Sequence, residues 1–301
     1  MPERRCCLVT GANAGIGWAA ARQLAAEGHR VLMLCRDPKR GEDAVARLRQ
    51  AQPDARCELV LGDLASARSI QAVASTIDEL DVLVHNAAAF DLGQKARTLS
   101  PDGIESIWAT NYLGPALLTE LLTPVLHRSR DARVLAVCSK GLALMPWLQV
   151  DLDDPEFSRR RFRVPHAYYQ SKLAHLAWAL WLAEQWRDSN VRVHAVRVGN
   201  VRIELSRYPG LAWPLRTAYA VKSRFAMTAE AMARCYTWLA TSDAARQSTG
   251  GYWDAPERSA PVSPWARNAA NRRALATLTA SQLELLIPPL SRETSPSERA
   301  P

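Results

Sequence analysis

The sequence predicts an α/β protein with one doubly wound, parallel β-sheet flanked by helices. Short runs of apolar or β-branched residues, each as long as a strand, alternate with longer segments of helical periodicity. These runs are almost continuously apolar, which is typical of strands buried on both faces of a sheet. Right-handed crossovers between parallel strands give an open sheet, and its ligand crevice lies at the carboxyl ends of the strands.

We expect about seven strands, each bounded by polar or glycine-containing turns. In order they are Cys6–Thr10, Arg30–Cys35, Cys57–Leu61, Val82–His85, Arg133–Cys138, Val191–Val196 and Gly251–Trp253. The helical segments repeat apolar residues at intervals of three and four. They are Ile16–Glu27, Gly41–Gln52, Ala65–Glu79, Gly103–His127, Ala167–Arg187 and Thr228–Ala240. One Rossmann-like domain over residues 1–255 accommodates all of them.

The remaining residues, 256–301, are predicted to form a C-terminal extension. Its first part contains three separate prolines, at positions 256, 261 and 264. A helical pattern follows at Asn268–Leu286. The end of the chain, from Pro288, is rich in Pro, Ser and Glu and has too little apolar surface to fold. We therefore expect about the last dozen residues to be disordered.

Composition narrows the class of protein. Hydrophobic residues make up 48% of the chain and charged residues 23%, which is typical of a globular protein. The net charge of +8 suits an anionic cofactor, but no nucleic-acid-binding motif accompanies it, so no nucleic-acid partner is expected. The densest basic run, Arg159–Arg161 with Arg163, is interpreted as a solvated loop, with an anionic-ligand site as the alternative.

The cellular compartment is predicted from the absence of certain sequence features. Its six cysteines show no Cys-x-x-Cys spacing, so we expect a reducing compartment and no structural metal. No apolar run is long enough to span a membrane, and the first strand begins almost at the N-terminus, without room for a signal peptide. These features favour a cytoplasmic protein.

A glycine-rich turn joins the first strand to the first helix. It reads Thr-Gly-Ala-Asn-Ala-Gly-Ile-Gly over residues 10–17. A tight structural turn is one explanation, but between a strand and a helix such a turn is typical of dinucleotide binding, because backbone N–H groups there can hold a pyrophosphate. The candidate cofactor-binding residues are Gly11, Asn13, Ala14, Gly15, Ile16 and Gly17.

The spacing of these glycines resembles the short-chain dehydrogenase/reductase family, and the resemblance covers about residues 5 to 255. Asp63 and Leu64, after the third strand, resemble the adenine-contacting pair of that family. His85-Asn86-Ala87-Ala88 resembles its Asn-Asn-Ala-Gly signature, with the first Asn and the last Gly replaced. The resemblance thus implies that Asp63, Leu64, Asn86 and Ala87 form part of the cofactor wall.

The end of the second strand bears on the choice of cofactor. In a dinucleotide fold an acid at this place accepts from the ribose 2′-OH, whereas an arginine pairs with a 2′-phosphate. Cys35 occupies the position where NAD-preferring family members carry Asp, and Arg36 follows it. NADP(H) is therefore favoured over NAD(H), although the neighbouring Asp37 can also accept from an unphosphorylated ribose.

Tyr168 and Lys172 are the candidate catalytic pair. Four residues apart on a helix, they share one face, although such a spacing also arises by chance. A phenol with an ordinary pKa of about 10 ionises more easily beside an ammonium group. Tyr169, only three residues from Lys172, is assigned to the pocket wall or to packing.

Two further polar residues are expected at the same crevice. Ser139 ends the fifth strand, where its hydroxyl can bind a substrate oxygen. Asn111 resembles the family's helix Asn, which holds a water linked to the catalytic Lys; a solvated polar residue is the alternative. The resemblance implies hydride transfer with Tyr168 as acid or base and without a metal.

Several features depart from the usual family pattern. Tyr168 follows Ser139 by 29 residues, a long gap that resembles the retinol-dehydrogenase-like branch, and the extra segment Met145–His166 is predicted to form a flap. After the sixth strand Gly199 is kept, but the usual Pro and hydroxyl residue are lost, so Gly199 and Val201 are expected to hold the cofactor through their backbone. The aromatic stretch Ser206–Met227 is predicted to be a substrate lid, with packing as the alternative.

The function predicted from these residues is an NADP(H)-dependent carbonyl reductase or alcohol dehydrogenase acting on a lipophilic or cyclic small molecule. The alternative is a catalytically degenerate, dinucleotide-binding regulatory protein, favoured by the losses after the sixth strand. The helices Leu113–Leu126 and Leu173–Trp186 resemble those that pair subunits in the family. A homodimer or homotetramer is expected from this likeness, with ordinary burial as the alternative.

Overall fold

The computed structural model describes residues 4–91, 93–201 and 226–287, and an eight-stranded sheet runs through this part of the chain. The strands are β1 (Cys6–Thr10), β2 (Arg30–Cys35), β3 (Cys57–Leu61), β4 (Val82–His85), β5 (Ala132–Ser139), β6 (Val191–Val198), β7 (Tyr252–Ala255) and β8 (Arg258–Ser259). Their order is β3-β2-β1-β4-β5-β6-β7-β8. Every neighbouring pair through β7 is parallel, and β8 is antiparallel to β7.

The sheet confirms the predicted Rossmann-like fold. The first four strands have the bounds expected from the sequence. β1, β2 and β4 are apolar runs that are almost entirely buried, whereas β3, at the edge of the sheet, is only partly buried. The expected number of about seven is exceeded by β8, which is two residues long and exposed. Nothing in its composition resembles a strand; it forms because Glu257, with φ of 57°, turns the chain back along β7.

Ten α-helices surround the sheet in the described residues. They are α1 (Gly15–Ala26), α2 (Pro38–Ala51), α3 (Ala67–Ala74), α4 (Ser106–Trp108), α5 (Gly114–Arg128), α6 (Val164–Gln185), α7 (Ala229–Thr241), α8 (Asp243–Arg246), α9 (Pro264–Arg267) and α10 (Ala269–Leu286). None of these described helices is long and apolar enough to cross a bilayer. The helix predicted over Gly103–His127 is interrupted by a π-helical turn, Ala109–Leu113, between α4 and α5.

Alternating strand residues build two apolar cores, one on each face of the sheet. Cys6 and Leu8 of β1 pack on the side covered by α3, α5, α6 and α10, whereas Cys7 and Val9 face α1, α2 and α7. Leu275 of α10, within the predicted C-terminal extension, is fully buried in the first of these cores. Covered on both faces, the sheet leaves its strand ends as the surface where side chains can meet a ligand.

Candidate active site

A cavity of ≈ 580 Å³ lies at the carboxyl ends of β1, β2, β4, β5 and β6. Its centre is the place where the chain order of the strands reverses, between β1 and β4. Most of the residues predicted to bind a cofactor or to act in catalysis line it: Gly11, Asn13, Ala14, Gly15, Ile16, Arg36, Asp63, Leu64, Asn86, Ala87, Ser139, Tyr168, Lys172, Gly199 and Val201. Gly17 and Asn111 are not among its lining residues.

The glycine-rich turn needs glycine for two reasons. Gly11 and Gly15 have φ of 65° and 58°, in the left-handed region that other residues avoid. A Cβ on Gly17 would lie 2.5 Å from the carbonyl oxygen of Gly11 and would also clash with the side-chain nitrogen of Asn86. Gly17 therefore acts behind the cavity wall, by letting α1 pack directly on the turn.

The start of α1 fits an anionic group. Side chains cap the first turns of α2, α3 and α7, where Asp37, Ser66 and Thr228 accept backbone N–H groups. The residue before α1 is Ala14, whose side chain cannot cap. The first N–H groups of α1 and the positive end of its dipole thus border the cavity, where a pyrophosphate can bind them.

Substitution of Gly17 tests this arrangement. Gly17→Ala should weaken binding of the predicted dinucleotide, tested with NADPH, by about tenfold or more, because the added methyl displaces the Gly11 carbonyl or Asn86. Titration of NADPH fluorescence measures the change. Gly28→Ala is the control: its methyl meets nothing within 4 Å, but its φ of 85° is strained, so stability should fall without loss of NADPH binding. Unchanged NADPH affinity in Gly17→Ala would contradict the packing role.

At the other end of the cavity, two arginines and an aspartate form the wall beyond β2. Asp37 Oδ1 accepts the backbone N–H of Arg40 at 2.9 Å, so its carboxylate caps α2. Burial raises the pKa of the Cys35 thiol to about 11, so that position carries no negative charge near neutrality. Arg36 and Arg40 are both exposed at the wall. Arg40 was not predicted from the sequence, and its position four residues after Arg36 was the available signal.

Asp63 is held by its own turn. Its Oδ1 accepts the backbone N–H of Ala65 at 2.9 Å, and its backbone N–H donates to Ser69 Oγ at 2.9 Å. These bonds fix the segment after β3 against the cavity, with Leu64 beside it. Asn86 is fixed in the same way from β4, since its Nδ2 donates to the carbonyl oxygen of Thr10 at 2.9 Å.

Tyr168 and Lys172 both face the cavity from the first half of α6. Lys172 is fully buried, and its Nζ donates to the carbonyl oxygen of Val137 on β5 at 2.7 Å. Burial lowers the pKa of Lys172 to about 8, because the charged form loses its hydration. The ring of Tyr168 packs at 4.3 Å from the ring of Phe90, centroid to centroid.

Ser139 completes this group at the carboxyl end of β5. It is partly buried, lines the cavity and accepts the backbone N–H of Gly141 on its Oγ at 3.2 Å. Ser139, Tyr168 and Lys172 therefore line one cavity although they come from two elements. Tyr169 also lines it, and its ring lies over Gly141, where an added Cβ would displace it.

Asn111 lies inside the fold rather than in solvent. It is fully buried in the π-helical turn, so the solvated alternative is wrong. Its Oδ1 accepts the N–H of Ala89 at 2.6 Å, and its Nδ2 donates to the Ala89 carbonyl at 3.0 Å and to Ser171 Oγ at 3.1 Å. The side chain thus ties the segment after β4 to α6, next to Lys172.

Tyr236 of α7 is a cavity residue that the sequence analysis did not find. Its side chain is buried, and its hydroxyl donates to Asn86 Oδ1 at 3.4 Å. The apolar periodicity of α7 resembles ordinary core packing, and only the crossing of α7 over the sheet brings Tyr236 to the strand ends.

The predicted flap is organised around a buried carboxylate. Asp154 accepts the backbone N–H groups of Ser158, Arg159 and Arg160, and Arg160 also pairs with it through its guanidinium. Arg160 of the basic run thus stabilises this segment. No residue of 145–166 lines the cavity in the described part of the chain. Most of the predicted lid, residues 206–225, lies outside the described residues.

The fold and the cavity define a dinucleotide-binding α/β protein with a Tyr and a Lys on one helix at the strand ends. Residues 5–150 match the short chain dehydrogenase family. The chain is 37% identical over 225 residues to mouse (Mus musculus) retinol dehydrogenase 14, covering 69% of this chain and 65% of that protein. It is 31% identical to mouse retinol dehydrogenase 13, covering 91% of this chain and 82% of the relative.

The chain therefore belongs to the short-chain dehydrogenase/reductase family of oxidoreductases, as its motifs predicted. Nicotinamide dinucleotides are the cofactors typical of this family. Among solved structures, an uncharacterized protein from Mycobacterium paratuberculosis superposes with a TM-score of 0.70 at 28% identity, covering 95% of both chains.

Proposed function

We propose that this protein is an NADP(H)-dependent carbonyl reductase or alcohol dehydrogenase for a lipophilic or cyclic ketone, aldehyde or secondary alcohol. The observation that carries the proposal is the placement of Tyr168 and Lys172 on one helix at the cavity, with the Lys172 ammonium buried on the Val137 carbonyl. A buried ammonium beside a phenol is what proton transfer to a substrate oxygen requires. Turnover with NADPH and carbonyl substrates is the test.

The roles of the protein's own residues follow from their positions. NADP(H), when bound, supplies or accepts the hydride. Tyr168 donates a proton to the substrate oxygen in reduction and removes it in oxidation, and Lys172 makes the phenolate more accessible through its charge. The Ser139 hydroxyl donates a hydrogen bond to the same oxygen, where negative charge develops. Gly199 and Val201 hold the nicotinamide side through their backbone.

Preference for NADP(H) over NAD(H) is supported by the charges beyond β2. Arg36 and Arg40 are positive and exposed at the cavity wall, and Oδ1 of the adjacent Asp37 carboxylate already accepts the Arg40 N–H at the start of α2. A 2′-phosphate would meet two guanidinium groups there, whereas an unphosphorylated ribose would gain little from them.

Replacing these arginines should change the cofactor preference. The double variant Arg36→Ala/Arg40→Ala should raise the KM for NADPH by about tenfold to a hundredfold, because hydrogen bonds to charged groups are lost. The KM for NADH should stay within a few-fold of the parent. Arg47→Ala, which removes an arginine stacked on Trp18 away from the cavity, is the matched control. Lower KM for NADH than for NADPH in the parent protein would refute the preference.

A lipophilic or ring-containing substrate is supported by the aromatic side chains beside the catalytic pair. Phe90, Tyr168 and Tyr169 form a cluster of rings at the cavity. Relatives of the chain are named retinol dehydrogenases, so retinoid-like aldehydes and alcohols belong in the first substrate panel. Steroidal, aromatic and polyketide-like carbonyls complete it. NADPH binding without turnover of the whole panel would favour the regulatory alternative.

Cytoplasmic location and a homodimer or homotetramer remain proposals. Residues 170–179 of α6 are buried within the chain itself, partly by packing against α10. This supports ordinary burial for α6, so a pairing surface would fall mainly on α5, where Glu120 and Pro124 are exposed. Sedimentation analysis of the purified protein measures the oligomeric state directly.

A further inference from the structure

Two histidines are buried in the fold near Lys172. His85 ends β4, and His175 lies on α6 three residues after Lys172, on the same side of that helix. Both are about as buried as Lys172, with 1% of their surface exposed. Their ring centroids are 5.7 Å apart, and Trp178 packs against both rings. The catalytic roles described above use neither histidine.

Three of the four ring nitrogens in this pair lack a hydrogen-bond partner among the described residues. His85 Nε2 bonds to Thr119 Oγ1 at 2.7 Å, but His85 Nδ1 and both nitrogens of His175 have none. Buried polar atoms in native proteins are nearly always satisfied, either by the protein or by ordered water. A small ligand that both donates and accepts hydrogen bonds is therefore expected beside these nitrogens, and water has that chemistry.

The titratable groups described around Lys172 on β4, β5, α6 and α7, apart from Tyr168, are neutral near pH 7. Burial lowers the pKa of His85 to about 3 and that of His175 well below its usual value, so both rings are neutral near pH 7. On β5, burial raises the pKa of the Cys138 thiol to about 12. Tyr236 reaches the cavity from α7 and is a protonated phenol, because burial raises its pKa. These four groups therefore offer the ammonium dipoles rather than charges.

We propose that His85 and His175 hold buried water between β4 and α6, and that this water hydrates the Lys172 ammonium from within the fold. The two histidines are then positioning residues that act through Lys172, and the inference rests on the role given to Lys172 in the proposed function. An apolar pair at these positions would leave the ammonium less hydrated. Its proton would then be lost at lower pH.

The decisive measurement is the pKa of Lys172 itself, which needs neither substrate nor turnover. The chain has only five lysines, so selective labelling with [ε-¹³C]lysine gives a simple spectrum, and the signal missing from Lys172→Met identifies residue 172. In the parent protein this signal should titrate at a pKa of about 8. In His175→Leu it should titrate about one pH unit lower.

Two further variants separate hydration from packing. His175→Gln keeps a donor and an acceptor for water. In this variant Lys172 should have the same pKa as in the parent. His175→Met, a flexible apolar replacement, gives the same reading as His175→Leu if that variant does not fold. The matched control is His194→Leu: His194 is equally buried on β6, but both of its nitrogens are bonded, to Ala245 and Trp253. This control should leave the pKa of Lys172 unchanged.

An unchanged Lys172 pKa in His175→Leu and His175→Met would overturn the inference. A shift of the same size in His175→Gln would also overturn it, because a residue that can still bind water would then behave like an apolar one. Failure of the proposed function would look different: no substrate would turn over, while the lysine titrations would still separate these variants.

Discussion

Tyr168→Phe should lower kcat by about 10²- to 10⁴-fold, because the substitution removes the hydroxyl proposed as acid or base and retains the ring. The ring packs against Phe90, so the wall of the cavity should keep its shape. NADPH binding should change little, since the glycine-rich turn and the arginines beyond β2 are untouched. Steady-state kinetics with a substrate from the carbonyl panel, together with NADPH fluorescence titration, measure both quantities.

Tyr169→Phe is the matched control for this experiment. Tyr169 lines the same cavity, is adjacent in sequence and packs on Gly141 through its ring. Loss of its hydroxyl should leave kcat within a few-fold of the parent. If Tyr168→Phe retained more than about a tenth of the parent activity, proton transfer by Tyr168 would be wrong.

Lys172→Met should reduce kcat by about 10²- to 10³-fold, the size of effect expected when one electrostatic group is lost from an active site. Methionine keeps the length of the side chain but removes its charge and its hydrogen bond to the Val137 carbonyl. An unpaired buried carbonyl costs about 1–3 kcal/mol, but the fold also no longer buries an ammonium. These two effects on stability oppose each other. The thermal unfolding temperature should therefore change little, although kcat falls strongly.

The role of Lys172 also predicts the pH dependence of the parent enzyme. Because burial lowers the pKa of Lys172 to about 8, the ammonium is present below that pH and is lost as the pH rises through it. The activity that depends on this charge should decline over the same pH range. Lys172→Met should not show this decline. Lys140→Met, at an exposed lysine just after β5, is the control and should keep the parent profile. A parent profile that stays flat up to pH 10 would contradict the assignment.

The sequence predicted the sheet well because its strands are apolar runs with sharp boundaries. Local patterns do not contain β8, which depends on a turn at Glu257, or the π-helical turn around Asn111, which depends on contacts with Ala89 and Ser171. At the cavity, Arg40 and Tyr236 were missed for a related reason. Both lie on helices whose patterns indicate an exposed and a buried face, but not which residues reach the strand ends.

What the sequence determined by itself is the set of chemical groups and their order along the chain. The glycine-rich turn, Ser139, and the spacing of Tyr168 and Lys172 are all local features, and local geometry fixes what they can do. Tertiary structure alone decided which groups share a cavity and what surrounds them. It buried Lys172 and paired its Nζ with the Val137 carbonyl, because hydration and hydrogen bonding in the core depend on neighbours that are distant in sequence.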